Sequence, residues 1–168
     1  VFETESVAGG MLAFGIPEYR LPKAVLQREI EAIEQAGIRI RYETEIGRDL
    51  PFETLRTLYD AVYIATGTQR SRRIGLEGED LPGVHHGLDY LRDVNLGRGV
   101  RLTGTVAVIG GGSTAMDAAR VALRNGADNV MVLYRRNIED MPADLREIGE
   151  TIEEGVRIHE RVSPVRFE

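Results

Sequence analysis

The chain has 168 residues, 42% of them hydrophobic, enough apolar material for the core of one domain or for parts of two. Its 21 basic and 27 acidic side chains leave a formal net charge of -6, which argues against nucleic acid or an anionic membrane surface as the main partner. There is no cysteine, so disulfides, thiolate metal sites and iron–sulfur ligation are excluded within these residues.

In chain order, Val25, Leu26, Ile30 and Ile33 recur at helical spacing after Pro22, and Gly37 supplies a stop, so residues 22–36 read as an amphipathic helix. Residues 38–42, IRIRY, alternate like a strand, and Pro51 opens a short helix. The run DAVYIATG at 60–67 has the short apolar core and terminal glycine of a buried parallel strand. From 70 to 100 the composition shifts to glycine, proline and charge, which marks a connecting segment with a boundary near residue 100. Beyond it the pattern predicts a strand at 105–109, a helix at 113–125 closed by Gly126, and a strand at 130–134. A helix from Pro142 to about Glu154 and the alternating VRIHER, 156–161, complete the series. Strand, helix, strand, helix, strand implies an α/β fold with a Rossmann-like, doubly wound parallel sheet. No apolar run approaches the roughly 20 residues of a membrane span, and the opening VFETESVAGG lacks the basic region of a signal peptide. A cytoplasmic location, with no membrane partner, is therefore expected.

Gly110, Gly112 and Ala115 satisfy G-x-G-x-x-A between a predicted strand and a predicted helix, the context in which that pattern binds a dinucleotide. Gly110 permits the tight turn, Gly112 lets the backbone approach a pyrophosphate, and Ala115 lets the helix pack on the strand. Gly111 lies within the turn, the helix-start amides face the phosphates, and Ser113 and Thr114 add hydroxyl donors. The following strand ends in Tyr134-Arg135-Arg136 where an NAD site usually has an acid, and guanidinium forks suit the 2′-phosphate of NADP. At the other end, VFE fits the end of the second strand of another such unit, with Glu3 as a ribose ligand and its glycine turn in residues before Val1. On that reading the chain is a piece of a longer one.

AGGMLAFGIPEYRLPKAVL at 8–26, YDAVYIATGT at 59–68, and VAVIGGGSTAMDAARVALRNGA at 106–127, with VLYRR and MPA after it, resemble in that order a flavoprotein family. The family is typified by the small (β) subunit of glutamate synthase and includes the flavin part of dihydropyrimidine dehydrogenase. The resemblance implies an NAD(P)H-binding domain, here 100–168 in part, inserted into an FAD-binding domain, here 1–99 in part with the connecting segment. It further implies electron flow from NADPH through FAD to an iron–sulfur subunit or domain. It makes Glu3 the FAD ribose ligand and sets Gly10, Met11 and Leu12 along the flavin nucleotide. Arg20 becomes a polar FAD contact, Ile46 a lining residue near the adenine, and Thr66-Gly67 the turn toward the nicotinamide domain. Gly110 to Ala115 take the NADP pyrophosphate, and Arg135 and Arg136 its 2′-phosphate. Many members carry a further basic residue where Ile138 stands, which leaves NADH open beside NADPH.

Hydride transfer between nicotinamide and flavin needs no protein nucleophile, so no catalytic side chain is assigned. His85, His86 and His159 lack ligand spacing and are read as structural, with no metal site. The alternative from another class is a nucleotide-binding or assembly module that never holds flavin. Bound flavin separates the two.

Overall fold

Three apolar runs between residues 105 and 160 alternate with two helical ones. In the computed structural model, which describes residues 1–168, those runs form a three-stranded parallel sheet. Strands β1 (Thr105–Ile109), β2 (Asn129–Tyr134) and β3 (Arg157–Glu160) lie in the order β1-β2-β3. The register sets Val106 against Val130, Val108 against Val132, and Val132 against Ile158. Val130, Val132 and Tyr134 are buried on one face of β2, and each such side chain contributes about 1.5–3 kcal/mol relative to exposure. Strands that advance one way through a parallel sheet with helices connecting them are the α/β Rossmann-like arrangement.

The chain divides into two units, Val1–Gln69 and Arg70–Glu168, and the sheet belongs to the second. There α4 (Gly87–Asn95), α5 (Ser113–Arg124) and α6 (Leu145–Glu153) pack in sequence, α5 lying on β1 and β2 between the other two. Ala115, Ala118, Ala119 and Ala122 are buried along α5, and their small side chains let the helix axis approach the sheet. Residues 70–99, which composition marks as connecting, fold with this second unit and contribute α4 to it. The first unit holds α1 (Met11–Phe14), α2 (Lys23–Gln35) and α3 (Phe52–Leu58) and two isolated parallel bridges, Phe2 with Arg41 and Ile46 with Leu50.

Three sequence expectations are corrected. Residues 38–42 form only the bridge at Arg41, and residues 60–67 form no strand; Tyr63 is 93% and Ile64 68% exposed. A parallel strand is held by its neighbours' ladder, and the first unit offers this segment none. The last helix begins at Leu145, not Pro142: the Ala143 N–H donates to the Gly111 carbonyl at 3.1 Å, and Asp144 caps the helix through the Arg146 N–H at 2.9 Å.

Between α5 and α6 a buried guanidinium acts as a clip. Arg120 is 6% exposed; it donates to Glu154 Oε1 from Nε at 2.9 Å and from Nη2 at 2.6 Å, and to Glu150 Oε2 from Nη1 at 2.8 Å. Hydrogen bonds from Arg146 and Arg120 hold the Glu150 carboxyl below its usual range. Burial opposes the same shift at Glu154, but Arg120 and Arg124 outweigh it. Both folded values are depressed, so the contribution is complete above the ordinary value of 4.5 and is lost as the pH falls through the lower folded values. Arg120→Ala should cost about 2 kcal/mol in urea unfolding at neutral pH. Most of that difference should vanish in acid, and an unchanged midpoint at neutral pH would show that the clip does not hold the helices.

Candidate nucleotide-binding site

β1 ends at a turn whose glycines answer to different constraints. Gly110 has φ 138, a backbone that side chains resist, and its N–H donates to the Leu133 carbonyl at 3.1 Å. Gly111 is constrained by space. A Cβ there would stand 2.6 and 2.7 Å from Cε2 and Cδ2 of Tyr134 and 3.0 Å from Cγ of Met141. Gly112, at φ -92 and ψ 171, is the N-cap of α5, and a Cβ on it would meet only Pro142 Cγ at 4.0 Å. Ala115 Cβ lies 3.5 Å from the position of a Cβ on Gly110, so the helix passes close to the turn.

The first turn of α5 has no side-chain cap. Its Gly112 carbonyl accepts from the Ala115 and Met116 amides at 2.8 and 3.2 Å, while the Ser113 and Thr114 amides have no protein acceptor. Open donors at the positive end of a 12-residue helix suit an anion. A cleft of about 830 Å³ runs along β1 to this turn, lined by Gly110, Gly112 and Thr114 and by His85 and His86.

At the end of β2, Arg135 is exposed and unpaired, and the Arg136 guanidinium lies 5.6 Å from the centroid of the Tyr134 ring, at cation–π distance. The Tyr134 hydroxyl donates to the Asp140 carbonyl at 2.8 Å. Residues 138–140 form a 3-10 turn closed by a capping box between Asn137 and Asp140, and the Ile138 N–H donates to the Glu160 carboxylate. The structure thus brings Gly110 to Ala115, Arg135 and Arg136 to the same end of the sheet. It also adds Arg161, just past β3, whose Nε donates to Asn137 Oδ1 at 2.7 Å. Sequence reasoning missed Arg161 because only the strand pairing brings it beside Arg136.

The expected flavin-binding residues all lie in the first unit. Glu3 N–H donates to the Arg41 carbonyl at 2.9 Å, and Glu3 Oε1 accepts the Glu5 N–H at 2.9 Å, which leaves Oε2 without a protein donor. Gly10, at φ 52, precedes Met11 and Leu12 on α1, and a Cβ on it would meet nothing within 4 Å. Arg20 follows on a turn from Pro17, and Ile46 bridges Leu50 close to Thr44, which is tied to the Glu3 carbonyl. Thr66 and Gly67 lie on the exposed segment after α3. A residue the sequence did not flag, Lys23, donates from Nζ to the Leu12 and Ile16 carbonyls and so fixes α1, and burial lowers its pKa. Glu79 is another: it is buried and accepts the Ile74 and Gly75 amides at 2.8 and 2.9 Å, which hold its carboxyl below the usual range.

Two glycine substitutions separate the constraints at the turn. Gly111→Ala should lower stability by about 1–3 kcal/mol through displacement of the Tyr134 ring. Gly112→Ala should leave the melting temperature within about 2 °C of wild type. Equal losses in thermal unfolding would contradict the division.

The family described as pyridine nucleotide-disulphide oxidoreductase matches residues 25–168. The β subunit of the NADPH-Fe(3+) oxidoreductase of Geobacter sulfurreducens is 46% identical over 168 residues, covering 96% of this chain and 25% of that protein. The glutamate synthase [NADPH] small chain of Halomonas elongata is 45% identical over 166 residues, covering 93% of this chain and 35% of that protein. Among solved structures, Mycobacterium tuberculosis FprA in complex with NADPH superposes with a TM-score of 0.74 at 22% identity, over 92% of this chain and 40% of that one. The chain therefore spans a quarter to about a third of the length of these curated relatives, and the structural likeness speaks for the fold.

Proposed function

The chain belongs to the pyridine nucleotide-disulphide oxidoreductase family, and from that premise we propose that it carries the NADPH site and part of the FAD site of a cytoplasmic flavin oxidoreductase akin to the small chain of glutamate synthase. One observation carries the reading: an uncapped α5 N-terminus behind a glycine turn, beside two arginines with no carboxylate partner. The donors fit the group. The free Ser113 and Thr114 amides and the open face of Gly112 suit a pyrophosphate, and Arg135 and Arg136 suit a 2′-phosphate dianion. In the first unit, the free Oε2 of Glu3 suits a ribose diol and the open backbone at Gly10 suits a close-lying nucleotide.

Bound, the nicotinamide and the flavin supply the redox chemistry, a hydride passing from one ring to the other. The chain's own work is to bind and orient. The α5 dipole and the turn fix the phosphates, and the arginines select the phosphorylated ribose. With no cysteine among these residues, an iron–sulfur group that takes the electrons belongs to a partner subunit or to another part of the protein. The relatives' names, β subunit and small chain, support such a partner.

Calorimetric titration with NADPH and NADH tests the reading. NADPH should bind at least about tenfold more tightly, and Arg135→Ala should remove most of that difference with NADH affinity unchanged. Equal affinity for the two nucleotides, or no binding of either, would overturn it.

A further inference from the structure

We propose that Arg161 is a third phosphate-binding arginine and that it, with Arg135 and Arg136, sets the preference for NADPH over NADH. The proposal rests on the reading of this sheet edge as a dinucleotide site and deepens it.

The parallel register brings the ends of β2 and β3 together. The Arg161 N–H donates to the Arg136 carbonyl at 3.3 Å, and the Val162 N–H to the Tyr134 carbonyl at 3.0 Å. Residues far apart in sequence thus sit side by side, and Arg161 stands at the strand end where only Arg135 and Arg136 were legible. Its guanidinium is already aimed. Nε is held by Asn137 Oδ1 at 2.7 Å, so the fork is anchored at one nitrogen while both terminal Nη groups make no hydrogen bond and the side chain is exposed. An anchored planar fork loses less freedom on binding a phosphate than a loose side chain does.

The surrounding charges point to the same ligand. Arg135 and Arg136 at the end of β2 and Arg161 just past β3 set three exposed positive charges at the same end of the sheet, which favours an anion there. The carboxylate next to Arg161, that of Glu160, accepts the Ile138 N–H and makes no ion pair with the arginines. Ile138, which brings no charge, is compensated from β3. The backbone carries a cost as well: Arg161 has φ 57, a left-handed conformation that Gly, Asn and Asp adopt readily and arginine does not. That strained backbone fits a side chain with a role of its own, here the anchored fork.

The test compares 2′,5′-ADP with 5′-AMP by calorimetry on the wild-type protein and on Arg161→Asn, Arg161→Lys and Arg135→Ala. Asparagine suits φ 57, so Arg161→Asn removes the fork with the turn kept, and thermal melting checks that it folds. Arg161→Asn should weaken 2′,5′-ADP about tenfold and 5′-AMP by less than about twofold, with a shallower salt dependence for 2′,5′-ADP. Arg161→Lys should fall between. Unchanged 2′,5′-ADP affinity in Arg161→Asn, with a loss in Arg135→Ala, overturns the role of Arg161 and leaves the dinucleotide site standing. Equal weakening of both ligands also overturns it, because Arg161 would then act only by holding Asn137. A wild-type protein that does not distinguish the two ligands overturns the site itself.

Discussion

The contact between the Gly111 backbone and the edge of the Tyr134 ring is the constraint around which this site is arranged. No Cβ fits between them. With the ring in that place, the end of β1 is keyed to the end of β2, and the ring's other partners are fixed in turn. The Tyr134 hydroxyl holds the Asp140 carbonyl, Arg136 lies over the aromatic face, and the Gly111 carbonyl takes the Ala143 N–H. The segment from Asn137 to Ala143 is thereby tied down beside the glycine turn at its middle, Asp140, and at its end, Ala143. Asn137, at the start of that segment, orients Arg161. One close approach of backbone to ring thus positions the glycine turn and, through Arg136 and Asn137, the arginines beside it.

A second constraint lies below the site. α5 offers its amides to an anion only while its N-terminus stays at the end of β1, and its position is set by alanines against the sheet and by Arg120 against α6. The helix interface therefore spends a buried charge on geometry, where an apolar pair would serve packing equally well. Of the clip's carboxylates, Glu150 is on α6 and Glu154 is its C-cap, so the element after the 137–143 segment and the element after the glycine turn are locked together. The same chain segment that borders the glycine turn is thus anchored at its far end as well.

The glycine turn, α5 and the three strands of the second unit were legible in the sequence because each is specified locally, by a strict apolar run or by G-x-G-x-x-A between strand and helix. The family was legible for the same reason, since its motifs are contiguous. Residues 38–42 and 60–67 misled because alternation or an apolar run states what a segment does when neighbours are present, and strand pairing is not local. α4 was hidden in a stretch whose glycines and prolines masked the burial of Tyr90 and Leu91. Arg161 and Glu79 were invisible for a related reason: their roles are created by a register and by a loop that folds back, and neither leaves a spacing to read. Gly111 was named as part of the turn, but the reason it must be glycine, the Tyr134 ring, lies on another strand.

A crystal structure of the protein with NADP⁺ bound is the most direct measurement of the central claim. The pyrophosphate is predicted against the Gly110 to Gly112 backbone and the free amides of Ser113 and Thr114, with the 2′-phosphate among Arg135, Arg136 and Arg161. A nucleotide whose pyrophosphate lies away from the α5 N-terminus, or whose 2′-phosphate points into solvent with those arginines untouched, would contradict it.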